Sequence, residues 1–195
     1  ALGEAYDREE SPAAKDAIIK ASTSRHPMVR IEALGHIEGL SSERLRQEIR
    51  ALLEDDAPRV RIAAMRAMAD HNIRVAGPFL VLRVKEDKFD DLSVEEKEVA
   101  LATLVQLASS RAESACVEIL KQARMLSSEA HEQSRELAAR TLGRIATSRE
   151  ARSALEEAAE KKWKSSERVR EAATQALAAM AARDQTAAAG AGSKV

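Results

Sequence analysis

Residues 29–37 read VRIEALGHI, and thirty-one residues later the chain reads VRIAAMRAM at residues 60–68. With Val29 and Val60 each set as position 0 of a frame, the segment occurs five times. EKEVALATL, SRELAARTL and VREAATQAL supply the later copies. Position 1 is basic in all five: Arg30, Arg61, Lys97, Arg135 and Arg170. Position 4 is always alanine, at Ala33, Ala64, Ala100, Ala138 and Ala173, with intervals of 31, 36, 38 and 35 residues. Position 8 is always large and apolar: Ile37, Met68, Leu104, Leu142 and Leu177. These positions fall on one face of a helix with 3.6 residues per turn. A constant alanine allows two helices to approach closely, and the large residue one turn later fills the space beside it. Recurrence at this period is the mark of a stacked array.

Other amphipathic stretches lie between the copies. SPAAKDAIIKAS opens with Ser then Pro, a helix start. SERLRQEIRALLED repeats Leu45, Ile49, Leu52 and Leu53. Ser110 with Glu113, and Thr147 with Glu150, have capping-box spacing and predict helix starts. NIRVAGPFLVLRVKED is irregular, because Gly77 and Pro78 should break or restart its helix. Each repeat is therefore read as two helices, the second carrying the recurring segment. Neither buries its apolar face alone, so the pairs must stack. Composition agrees. Hydrophobic residues make up 45% of the 195, yet only four residues are aromatic, and alanine and leucine carry the apolar content. Strand-like runs are missing. The fold class expected is an all-α, right-handed α-solenoid of about five helix pairs.

The array is expected over residues 1–182. Ala1, Leu2 and Gly3 fit positions 7 to 9 of a further copy, so the chain is expected to start inside a sixth repeat; the competing reading is an incidental ALG. ARDQTAAAGAGSKV loses the pattern, and residues 183–195 are expected to form a flexible tail.

The formal net charge of −1 gives no global field toward nucleic acid or an anionic membrane. A single cysteine, Cys116, rules out an internal disulfide and a cysteine-built zinc site, and suits a reducing, cytoplasmic setting. The apolar runs are too short to span a bilayer, and the start, ALGEAYDREES, has no hydrophobic leader segment.

HPMVRIEALGHI, APRVRIAAMRAM and SRELAARTLGRI resemble HEAT repeats, close to the short bacterial type found in phycobilin-lyase-related scaffold proteins. Pro27 and Pro58, just before the second helix, fit that resemblance; Lys97 in place of Arg and the EDKFDDL loop depart from it. The resemblance implies an armadillo-like scaffold for protein–protein interaction and says little about a partner. The resemblance also brings in two enzymatic classes, and neither fits these residues. A di-iron hydroxylase needs several His-Glu pairs in equivalent repeats, and only His131-Glu132 is present, out of register. A base-excising enzyme needs a basic concave face with aromatic walls, which four scattered aromatics do not supply. No Gly-rich phosphate loop or Ser-His-Asp spacing is found. No catalytic residue, metal or cofactor is expected.

The position-1 bases are read as structural, their stems packed and their heads paired with carboxylates between repeats; Asp55 and Asp56 suit Arg61. The other reading is a charged ladder facing a ligand. KKWK at residues 161–164 is either a patch anchored by Trp163 or a solvated end of the last pair. Cys116 is read as a buried small hydrophobe rather than a reactive thiol. His36 and His71 are read as solvated, with pH sensing the alternative, and His131 as a lone metal ligand has little behind it.

Second helices line the concave side of such arrays, so their outward positions are the candidate partner-binding residues. Position 2 supplies Ile31, Ile62, Glu98 and Glu136; position 6 supplies Arg66 and Arg140; position 10 supplies Arg144; Trp163 joins them. Ile31 and Ile62 are either adjacent exposed apolar residues marking a contact or side chains that reach the core. The function expected is a non-enzymatic scaffold or adaptor that binds another protein, or other domains of its own parent chain, without membrane insertion. The alternative is a nucleic-acid-binding module of the same repeat type using a basic stripe.

Overall fold

The computed structural model describes residues 12–39, 42–124, 127–160 and 164–192. Among these residues every regular element is helical. The chain divides into two compact units between Gly77 and Pro78, a boundary the single expected array did not contain. Each unit is a stack of helix pairs, as an α-solenoid requires.

The first unit holds α1 (Pro12–Ser22), α2 (Pro27–Ala33), α3 (Ser42–Leu53) and α4 (Pro58–Asp70). The frame explains α2 and α4. Pro27 and Pro58 stand in the first turn, where a missing N–H costs nothing and φ is preset. The residue before each proline is extended, and its own N–H is taken by a side chain two residues earlier: His26 N–H donates to Ser24 Oγ (3.3 Å), and Ala57 N–H to Asp55 Oδ1 (2.9 Å). After Ala33 the chain tightens into a 3₁₀ turn, Leu34–Gly39. α4 ends in a Schellman motif: Asn72, at φ 50°, donates to Ala69, and Ile73 to Met68. Ile73 and Met68 are both buried, the apolar contact that accompanies this stop. Second helix packs on second helix, α2 on α4, and α1 on α3. Ile49, Val60, Met65 and Met68 are completely buried between them, each large side chain contributing about 1.5–3 kcal/mol.

The second unit holds α5 (Gly77–Lys85), α6 (Val94–Lys121), α7 (Glu129–Ile145), α8 (Arg149–Glu160) and α9 (Glu167–Gly192). Gly77 and Pro78 restart the helix after a 3₁₀ turn at Arg74–Ala76, as expected. The helix predicted from Ser110 has no start of its own. Ala108 alone leaves helical geometry (φ −156°, ψ 62°), so α6 is two limbs joined at one residue. The first limb is the second helix of the third pair, and the other limb opens the fourth. α6, α7 and α9 stack side by side, with α8 against α6 and α9.

The frame alanines are all buried: Ala33 at 6% exposure, and Ala64, Ala100, Ala138 and Ala173 at 0%. Met68, Leu104 and Leu142 at position 8 are buried with them. The residues expected as a flexible tail begin differently, since α9 continues as helix to Gly192. Arg183 gives that extension a purpose. Its guanidinium donates to the carbonyls of Arg144 and Ala146 (2.9 Å for Ala146), capping the C-terminal end of α7.

Candidate functional site

The position-1 bases point inward. Arg30 makes a two-pronged pair with Asp55 (2.6 and 2.7 Å) and donates to the carbonyl of Ser24. Arg61 donates to the backbone carbonyl of Asp55 (2.6 Å). The expected partner of Arg61 is thus present, but its carboxylate belongs to the preceding repeat's arginine. Lys97 is fully buried and donates to Ala130 O (3.0 Å) and Gln133 Oε1 (3.4 Å). Burial pushes its ammonium down from the usual lysine range, against the pull of Asp90 and Asp91. Arg135, 2% exposed, reaches Leu120 O, Glu132 Oε1, Lys164 O and Ser165 Oγ. Arg30, Arg61 and Arg135 each fasten at least one interhelix loop, and Lys97 ties α6 to the beginning of α7. The ladder is a set of latches, and none of these four is offered to a ligand.

The carboxylates answer in kind. Glu132 accepts from Ser127, Arg135 and the N–H of Ser166, just before the last helix α9. Burial alone raises its carboxyl; hydrogen bonds from Ser127, Ser166 and Arg135 outweigh that and bring it to about 2. Glu113 does not cap its own helix from Ser110. It reaches across to Thr147 and the N–H of Ser148 (2.9 Å) at the start of α8. The capping box expected from Thr147 and Glu150 is displaced by this contact, and Ser148 Oγ accepts from Ala151 N–H instead.

His131 is buried, with Nδ1 2.8 Å from Asp90 Oδ2 and Nε2 2.5 Å from the carbonyl of Gln122. Both ring nitrogens face acceptors, so neither is open to a metal. Among the described residues no group of three or more His, Cys, Asp or Glu gathers in a way that holds a metal ion. Cys116 is buried, and burial, partly offset by Arg144, pushes its thiol up to about 12. A thiol held in its protonated form is a poor nucleophile.

The outward positions are where the helices differ. Lys97, early in α6, reaches Ala130 and Gln133, early in α7, so the first limb of α6 and α7 run side by side in one direction. Between them lies a cleft of about 380 Å³, lined by Glu98, Leu101, Ala102, Leu137, Arg140, Thr141 and Arg144. Three of the sequence-predicted residues, Glu98, Arg140 and Arg144, meet here and are exposed. A fourth, Glu136, stands beside them but is spent: Arg140 holds its Oε1 (2.6 Å), and Arg168 of α9 its Oε2 (2.9 Å). The next seam, α7 against α9, is shut. A Cβ added at Gly143 would lie 2.9 Å from Ala176 Cα, so the two backbones nearly touch. The equivalent frame position in α6 is Val105 in place of a glycine.

The remaining predicted residues lie elsewhere. Ile62 is 7% exposed and Ile31 half-buried, so the exposed isoleucine pair is absent; Ile62 is held in the core of the first unit. Each is the fifth residue of a second helix, and a helical side chain leans back over the turn before it. Arg66 is exposed on α4, in the first unit. Trp163 lies outside the described residues. Of the cleft's lining, Leu101, Leu137 and Thr141 are not among the outward frame positions, because these three are buried residues that form its floor.

The family model described as HEAT repeats matches residues 14–93, which run from α1 to the start of α6. The helix pairs beyond that span carry the same frame alanine, and there too it is buried, at Ala100, Ala138 and Ala173. No curated protein matches the chain. Among the described residues no helix is long and apolar enough to cross a membrane.

Proposed function

We propose that these HEAT-like repeats are a non-enzymatic interaction module that binds another protein, or another domain of its parent chain, on the second-helix face. The observation that carries this reading is the gathering of Glu98, Arg140 and Arg144 around one open cleft while the position-1 bases described above are turned inward. A rigid wall with a few charged anchors over an apolar floor suits protein recognition, where most of the affinity rests on a small number of contacts. Arg66 and the half-buried Ile31, on second helices of the first unit, belong to the same face of their own pairs and extend the reading to that unit. Cytoplasmic residence belongs to this reading too.

Interleaved acids, Glu98 and Glu136, set the face against a phosphate backbone, which favours a continuous basic track. The test is site-specific photocrosslinking in cells. A crosslinker at Ala102, exposed in the cleft, should capture protein, and one at Arg111, exposed on the first-helix side, should not. The double variant Arg140→Glu, Arg144→Glu should abolish the Ala102 product with helicity unchanged. Products that are nucleic acid, or equal capture at both positions, would refute the reading.

A further inference from the structure

Building on that reading, we propose that the α6–α7 cleft docks an extended partner segment with opposite charges at its two ends. A lysine or arginine lies by Glu98, an aliphatic side chain covers Leu101, Ala102 and Leu137, and a carboxylate meets Arg144. The cleft is itself polarised. Glu98 stands at position 2, at the N-terminal level of the two helices, and Arg144 at position 10. Eight residues of helix separate those levels by about 12 Å. An extended chain covers that distance in about four residues at roughly 3.3 Å each. The partner's two charges therefore sit three or four residues apart, with the apolar residue between them.

The charges are also available. Among the described residues neither Glu98 nor Arg144 has an ion-pair partner, whereas the other charges around them are committed. Arg140 is held by Glu136, and Glu136 by both Arg140 and Arg168. Thr141 donates its hydroxyl to Leu137 O (2.8 Å) and is not free to donate it to a ligand. The floor is apolar: the buried Leu101 (1% exposed) and Leu137 (7% exposed) form it with the exposed Ala102. An unpaired carboxylate and an unpaired guanidinium at opposite ends of an apolar trough reject a uniformly acidic or uniformly basic segment, since one end is always repelled.

The test uses the full chain and fluorescent, end-blocked peptides: Lys-Ala-Leu-Ala-Glu, the reversed order Glu-Ala-Leu-Ala-Lys, the two single-charge versions, and Glu-Ala-Leu-Ala-Glu. Fluorescence anisotropy should show one of the two mixed-charge orders binding at least tenfold more tightly than any other peptide. Glu98→Gln and Arg144→Ala should each weaken it at least fivefold, and raised salt should do the same. The exchange Glu98→Arg with Arg144→Glu should invert the preference between the two orders. Three results overturn the proposal: no mixed-charge peptide bound above the single-charge versions; tightest binding of the all-acidic peptide, improved by Glu98→Gln, which marks an anion site; or displacement of the peptide by a single-stranded oligonucleotide. If the peptides fail while the photocrosslinked partner is still lost in the Arg140, Arg144 double variant, this proposal falls and the interaction reading stands.

Discussion

Gly143 is the residue whose replacement has the clearest sign. Within a helix, alanine is favoured over glycine by about 1 kcal/mol. Here the added Cβ would sit 2.9 Å from Ala176 Cα and 3.0 Å from its Cβ, and the obstacle is backbone that cannot swing aside. Gly143→Ala should therefore destabilise by about 1–3 kcal/mol, the cost of overpacking. Gly35 is the control, because nothing lies within 4 Å of a Cβ placed there. Urea unfolding of both variants checks the contrast, and a stabilised Gly143→Ala would mean that α7 and α9 are not pressed together. Glu132 makes a second prediction through pH. Its carboxyl falls from an ordinary 4.5 to about 2 on folding, so its contribution is present above pH 4.5 and lost as pH drops through about 2. With its side chain 11% exposed, the contribution is roughly 2–3 kcal/mol. Glu132→Gln should lower the melting temperature at pH 7, and the gap from wild type should close steadily between pH 4.5 and 2.

At the scale of the helix, the pairs are fastened by caps that come from outside the capped element. Glu113 of α6 holds the N–H groups of Thr147 and Ser148 that lead into α8, and Arg183 of α9 holds carbonyls at the end of α7. Both place charge where the helix dipole welcomes it. Glu113→Ala should cost about 1 kcal/mol, the usual worth of an N-cap. Its signature is local: faster amide exchange at Ser148–Ala151, with α9 unaffected. Arg183→Ala should raise exchange at the end of α7 in the same manner. These contacts also mark where local sequence patterns fail. Ser110 with Glu113 and Thr147 with Glu150 satisfy the capping-box spacing, yet a spacing rule knows only its own turn. In the fold Glu113 is 34 residues from Thr147 in sequence and beside it in space. The helical continuation beyond residue 182 was hidden for the same reason, because Arg183 acts on α7 and not on its neighbours.

For the molecule as a whole, the stack was legible because it is periodic. The alanine of each repeat reports on the neighbouring helix, so Ala33 and Ala64 in the first unit, and Ala100, Ala138 and Ala173 in the second, mark the buried side of their own stacks without coordinates. The candidate cleft was half legible. The frame's outward positions include Glu98, Arg140 and Arg144, but do not tell which neighbouring helices press close, since that depends on side chains on the other helix, as Ala176 of α9 does for Gly143 of α7. The division at Gly77 and Pro78 lies where the helical pattern is broken by those two residues, and it has an energetic consequence. Stability in a repeat array is close to a sum of nearest-neighbour terms, so a segment with its own buried seam needs little from distant repeats. Residues 78–195 contain Ala100, Leu104, Ala138, Leu142 and Ala173, all buried, together with the Glu132–Arg135 node and both helix caps. A fragment of residues 78–195 should therefore fold alone, with a cooperative loss of helicity on heating. Gly143→Ala should lower its midpoint as it lowers that of the full chain. A fragment that melts gradually, or whose midpoint ignores Gly143→Ala, would show that the α6–α7–α9 stack is not a cooperative unit in its own right.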